Sequence, residues 1–181
     1  MDICVENRHG AVREGYQILL RADALLRLPP DAERIAEYYR STARACLRWA
    51  EQAEGERLRR AYLALESNRE RARFRPSDYR LECGPVWEGN GHAAWVCRSE
   101  LRGAGGAPFD RCTAQVWNLT EQTLLPPAQV LRLFRPAGRR RWRPPFRPDG
   151  VYPLGGELVF FRNGGAGEPV REFRVPAVPR G

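Results

Sequence analysis

Between Tyr16 and Leu28 apolar and polar side chains alternate. Tyr16, Ile18, Leu20, Ala22, Ala24, Leu26 and Leu28 share one side of a two-residue period, with Gln17, Arg21, Asp23 and Arg27 on the other. The pattern predicts a strand with one face on a core. Pro29, Pro30 and Asp31 end it, and Asp31 stands where its carboxylate would accept from the unpartnered N–H groups of a following first helical turn. Ile35, Tyr39, Ala43, Cys46, Ala50 and Ala53 then recur at steps of three or four, and Leu58, Ala61, Tyr62 and Leu65 resume the stripe. This predicts one long helix, or a broken pair, over 32–70. Gly55 is its expected weak point, costing about 1 kcal/mol relative to Ala inside a helix. Glu33, Glu37, Arg40, Arg44, Arg48 and Glu51 form a mixed-charge face suited to water.

After Pro76 the texture changes from Ala, Glu and Arg to Gly, Trp, Val and Pro. Tyr79 to Trp87 and Ala93 to Leu101 read as two strands joined by Gly89, Asn90 and Gly91, since Asn-Gly supplies the positive φ angles of a tight hairpin. A third run, Cys112 to Leu119, follows a connection holding Gly103, Gly105, Gly106 and Pro108. One face of this meander is expected to collect Tyr79, Leu81, Cys83, Trp87, Ala93, Trp95, Cys97, Cys112, Ala114 and Val116, all of them apolar. Leu124 to Phe134 reads as a short helix with Val130, Leu131 and Phe134 inward. Strands follow at Leu158 to Arg162 and Val170 to Val175, parted by the turn-rich 163–167. The expected fold is α+β: a long N-terminal helix packed on a twisted, mainly antiparallel β-sheet, with a helix-bearing subdomain at 1–76 and a β-rich one at 77–181.

Composition narrows the class. With 181 residues, 43% apolar and 29% charged, the chain has material for a core and is not globally disordered. A mean hydropathy of -0.57 and the lack of any apolar run near 18 residues predict no membrane helix. Arg13, Arg21, Asp23 and Arg27 interrupt any signal-peptide core, so a cytoplasmic location is expected.

The five cysteines, Cys4, Cys46, Cys83, Cys97 and Cys112, lack zinc-ligand spacing, and the only histidines are His9 and His92. Reduced, buried thiols are the expectation. Hairpin symmetry about Asn90 sets Cys83 opposite Cys97, and closure about Ala104 and Gly105 sets Cys97 opposite Cys112; a one-residue change of register separates them.

The thirty basic residues are all Arg against 22 acids, for a net charge of +8. Seven of those eight charges come from 132–147, a run of Arg132, Arg135, Arg139, Arg140, Arg141, Arg143 and Arg147 with no acid. Trp142 and Phe146 lie among them, so stacking on bases and ion pairing with phosphates would be available together. The same Pro-rich 132–148 stretch also reads as a solvated loop.

Elsewhere, His92 sits beside Glu88 with no Ser or Cys nucleophile placed to use it. The glycines at 103, 105 and 106 lack a phosphate-loop context, and Asp110, Asp149 and Glu157 show no paired spacing. No catalytic residue, cofactor or metal site is assigned.

Gly105-Gly106-Ala107-Pro108, Trp117-Asn118-Leu119, Leu124-Leu125 and Leu131 to Phe134 resemble the Gly-Gly-Ala-His, Trp-Asp-Leu and Leu-Phe series of RsiV-like domains. Asp149-Gly150-Val151-Tyr152 through Glu157-Leu158-Val159-Phe160-Phe161, closing on Val175-Pro176, is similar to that family's final hairpin. Tyr16 to Pro29 with the Ile35–Tyr39 helix is similar to the strand–helix unit that commonly precedes it. Such domains form the extracellular part of the sigma-V anti-sigma factor, which senses lysozyme, and accompany some peptidoglycan deacetylases. Pro108 stands where the family has His, Asn118 where it has Asp, and the Arg/Pro loop replaces a helix. The sigma-binding segment and membrane helix are missing from the sequence, so a membrane anti-sigma factor is not expected. The resemblance implies the α+β fold and a non-catalytic binding or accessory module with a protein or glycan partner. The alternative is nucleic-acid or anionic-surface binding through Arg139, Arg140, Arg141, Trp142, Arg143, Phe146 and Arg147.

Overall fold

A computed structural model of the chain describes residues 2–103, 109–137, 143–165 and 167–180. It is a mixed α and β structure with more strand than helix. One sheet runs in the order β1 (Cys4–Glu14), β2 (Gln17–Leu28), β3 (Ser77–Gly89), β4 (His92–Arg102), β5 (Phe109–Asn118) and β6 (Thr123–Leu125). A second sheet has the order β7 (Phe134–Pro136), β10 (Arg171–Pro179), β9 (Glu157–Arg162) and β8 (Gly150–Leu154). Every ladder is antiparallel except β2 with β3. That parallel pair requires a long crossover, which the helices supply.

The expected 32–70 helix is divided. α1 (Glu33–Trp49) passes through a π-helical turn, Ala50–Glu54, into α2 (Gly55–Leu63), and a separate α3 (Asn68–Arg73) starts at a Ser67/Glu70 capping box. The irregular turn precedes Gly55, whose role is close approach: a Cβ there would stand 2.6 Å from Val12 Cγ2 on β1. Asp31 does not cap α1. Ala32 is the N-cap, with no side-chain bond, and Gln122 in the β5–β6 turn accepts from the Arg34 N–H at 3.1 Å. Arg40 bridges Glu33 and the β1 residue Glu6, each at 2.8 Å, and so ties α1 to the outermost strand.

The periodicity of 16–28 is realised in β2, and Asn90 and Gly91 take φ of 52° and 71° in the β3–β4 turn as their sequence demands. The single apolar face expected for β3–β5 is not found, because both faces of the central sheet are covered. On the helix side Tyr79, Leu81, Cys83, Ala93, Trp95, Cys97, Leu101 and Trp117 pack with Ile35, Tyr39, Ala43 and Leu58. On the other side Ala94, Val96, Cys112 and Val116 pack with Val130, Phe134, Tyr152, Leu158 and Phe160.

Two shifts of register explain the difference. A bulge between Pro85 and Trp87 moves Trp87 to the second core. The β4–β5 ladder pairs Cys97 with Thr113 and Arg98 with Cys112, so Cys112, Ala114 and Val116 face away from Cys97.

Cys83 does lie opposite Cys97, and the two are joined in a disulfide where reduced thiols were expected. The predicted helix at 124–134 resolves into β6, α4 (Pro127–Arg132) and the start of β7, with Val130 and Phe134 buried and Leu131 half-buried. β1 is an element that the hydrophobic pattern does not predict.

Candidate functional site

Trp49 ends α1 with its ring 46% exposed, although it sits beside the buried core. The ring centroids of Trp49 and Phe109 are 5.3 Å apart in an edge contact, and Trp49 and Tyr79 are 5.9 Å apart. These three aromatics, from α1, β5 and β3, line a concavity of about 550 Å³ with Cys46, Ser99, Asp110, Arg111, Gly164 and Gly165. Burial, reinforced by the neighbouring Cys46, holds the Tyr79 phenol above the usual range and therefore protonated. Asp110 and Arg111 make no ion pair or side-chain hydrogen bond among the described residues, which leaves their polar atoms available at the mouth.

A larger open groove, about 890 Å³, lies beside the α1 N-terminus over Tyr38, Trp117 and Leu124. Its polar wall is already engaged: Glu33 and Glu37 pair with Arg40 and Arg44, and Gln122 bonds the α1 backbone. The aromatic pocket combines exposed ring surface with unengaged polar groups and is the better candidate.

The far wall of that pocket is held by Asn163. β6 pairs with 116–118, and among the described residues no strand continues along the first half of that β5 edge. The Cys112 N–H donates to Asn163 Oδ1 at 2.7 Å, Asn163 Nδ2 donates to the Cys112 carbonyl at 3.0 Å, and the Asn163 N–H donates to Asp149 Oδ2 at 2.8 Å. One side chain thus supplies the bonds a neighbouring strand would make. Gly164 follows where a Cβ would stand 2.4 Å from Glu168 Cβ, so the loop needs glycine there.

Beneath this loop the two sheets meet at a polar cluster. Arg98 pairs with Glu172 and also donates to the Tyr152 hydroxyl at 3.4 Å, while Arg174 donates to Glu172 at 2.9 Å. Burial pushes the Glu172 carboxyl up, but the hydrogen bonds from Arg174 and Arg98 outweigh it and hold the group below the usual carboxylate range.

Cys112 stands in the same region, and burial pushes its thiol up to about 11. A thiol reacts as the thiolate, so Cys112 should resist iodoacetamide at pH 8 in the folded protein while the exposed Cys4 is alkylated. Peptide mapping after a timed pulse checks this; equal labelling at both positions would contradict the burial of Cys112. Because its folded value lies above that of a free thiol, the corresponding stability is intact below about pH 9 and is lost as pH rises toward 11.

Of the residues singled out in the arginine run, Arg139, Arg140, Arg141 and Trp142 lie outside the described residues. Arg143 and Arg147 are exposed and Phe146 is half-buried, in an irregular stretch before β8. None of these three lines the aromatic pocket. The His92 ring bonds the Asn90 backbone oxygen and His9 bonds Asp23, so neither takes part in the pocket. Among the described residues no group of three His, Cys, Asp or Glu side chains converges as a metal site, and no helix is long and apolar enough to cross a membrane. Trp49 is absent from the sequence-based site. The available signal was a large apolar ring on an otherwise charged helical face, between Arg48 and Glu51.

No family model matches the chain, and no curated protein matches it. Among solved structures the chain is similar to a DUF3298 family protein from Pseudomonas aeruginosa PAO1, with a TM-score of 0.55 at 12% identity over 96% of this chain and 88% of that one. A DUF3298 family member from Bacteroides fragilis aligns with a TM-score of 0.34 at 8% identity, over 68% of this chain and 57% of that one. The first likeness is one of fold: the architecture described above is shared with a DUF3298 family protein.

Proposed function

We propose that the chain is a non-catalytic binding or accessory module, related to RsiV-like domains, and that it takes a saccharide in the pocket of Trp49, Tyr79 and Phe109. The observation that carries this reading is Trp49, a ring nearly half exposed at the rim of an aromatic concavity. Exposed aromatic surface bordered by unengaged polar groups suits a ligand with one apolar face and a fringe of hydroxyls. The ring supplies area at little conformational cost, and Asp110 and Ser99 supply hydrogen-bond partners. The kinship with RsiV-like domains is supported by Trp117-Asn118-Leu119 closing β5 and by the 149–161 segment folding as the β8–β9 hairpin. The tyrosine of the pocket is held protonated by burial, which suits recognition better than proton transfer.

Titration with chitotetraose or muropeptides should quench tryptophan fluorescence saturably and raise the melting temperature by mass action. Trp49→Ala, at a site where the ring is nearly half exposed, should keep the fold and weaken binding at least tenfold, about 1.4 kcal/mol. Saccharide binding undiminished in Trp49→Ala refutes the pocket. A melting shift with lysozyme, and none with any saccharide, makes the partner a protein and refutes the saccharide reading.

A further inference from the structure

Arg162 ends β9 and Arg171 begins β10, and the ladder sets them directly opposite each other. Both are exposed, and among the described residues neither makes an ion pair or side-chain hydrogen bond. Like charges at directly opposed positions weaken a β-ladder, so this pair is kept at a local cost in stability. With Asn163, Gly164, Gly165 and Glu168 the two guanidinium groups line a recess of about 270 Å³. Gly164 and Gly165 are also a wall of the aromatic pocket, and neither carries a side chain to divide the two spaces. Arg111, also without an ion pair among the described residues, adds a third guanidinium on the aromatic side.

We infer that the two recesses form one extended site for a carboxylate-bearing saccharide: a sugar ring lies against Trp49 and Phe109, and its carboxylate, or that of the adjoining sugar, meets Arg162 and Arg171. The inference rests on the saccharide reading above and adds the charge of the ligand. A guanidinium fork matches a carboxylate with two parallel hydrogen bonds, and two forks side by side form a strong local anion trap. The acids at the same site decide against a ligand charged at every unit. Asp110 lines the aromatic side and Glu168 the arginine side. Each accepts from sugar hydroxyls, and each repels the successive phosphates of a nucleic acid.

The test is calorimetric titration of the full chain and of an R162Q/R171Q variant with a hyaluronan tetrasaccharide, in which only every second sugar carries a carboxylate, with chitotetraose and with a single-stranded oligonucleotide. The unaltered chain is expected to bind the hyaluronan tetrasaccharide at least tenfold more tightly than chitotetraose, with the preference shrinking as salt rises. R162Q/R171Q should lose that preference, and its melting temperature should be no lower, since a repulsion has been removed. Equal affinity of the unaltered chain for the charged and neutral oligosaccharides overturns this inference and leaves the saccharide pocket standing. Failure to bind either overturns both. An oligonucleotide bound more tightly than the hyaluronan tetrasaccharide, or a folded variant that keeps the preference, overturns the arginine pair as a carboxylate site.

Discussion

Trp95→Ala should lower unfolding stability by about 3–5 kcal/mol, a large share of the 5–15 kcal/mol that a domain of this kind has in total. The Trp95 ring is fully buried in β4, stacked on Tyr39 at 5.9 Å, and its indole N–H donates to the Arg27 carbonyl of β2 at 3.2 Å. Truncation therefore removes the largest apolar side chain at the centre of the helix-side core and the hydrogen bond that ties β4 to the Arg27 carbonyl. The space left cannot refill easily. Tyr39 is itself held by two hydrogen bonds: its hydroxyl accepts from Trp117 Nε1 at 3.0 Å and donates to Gln115 Oε1 at 3.4 Å. Urea titration followed by circular dichroism measures the effect. A loss under about 1 kcal/mol would mean that this ring is not the packing centre assigned to it.

The second large effect concerns the bond between Cys83 and Cys97. It closes a loop of sequence separation 14, which on chain-entropy grounds stabilises the folded state by about 3 kcal/mol relative to the reduced chain. Replacing both residues by Ala should lower the urea midpoint accordingly, with little change in slope. The hairpin itself should persist, because the ladder continues on both sides of the pair and Asn90-Gly91 sets the turn. Thiol counting in denaturant gives an independent check: three thiols should react without reductant, from Cys4, Cys46 and Cys112, and five after reduction. Five in the unreduced protein would remove the crosslink and this prediction with it.

Much of the fold was legible where one physical demand dominated the local sequence. β2 shows a two-residue period because one row of its side chains is buried, and the β3–β4 hairpin was marked by Asn-Gly because only such a pair accepts two positive φ values cheaply. The assignment of faces failed in β5 because both rows of side chains are covered. Cys112, Ala114 and Val116 pack on one side while Phe109 and Trp117 pack on the other, so either register satisfies hydrophobicity. β1 was invisible for the opposite reason. It is an edge strand whose Glu6, Arg8, His9 and Arg13 leave no apolar row to read.

The pocket was harder still. Its members come from α1, β3, β4, β5 and the loop after β9, and only the packing of α1 against the sheet brings them together. Charge drew attention instead to 132–147, because sequence displays charge in clusters and conceals concavities. The arginines of the second recess were hidden in the same way, since Arg162 and Arg171 become neighbours only through the β9–β10 register.

The parallel union of β2 with β3 also bears on the order in which the chain organises itself. Residues 21 and 78, neighbours across that union, are 57 apart in sequence, whereas the covalently joined pair in the β3–β4 hairpin is 14 apart. Two doublings of loop length make the first closure costlier by about 1.2 kcal/mol in chain entropy. The hairpin can therefore nucleate alone, while the N-terminal ribbon joins it profitably only after the intervening helices have shortened the path. Docking of the N-terminal ribbon on β3 thus needs a partner that leaves the ribosome after it.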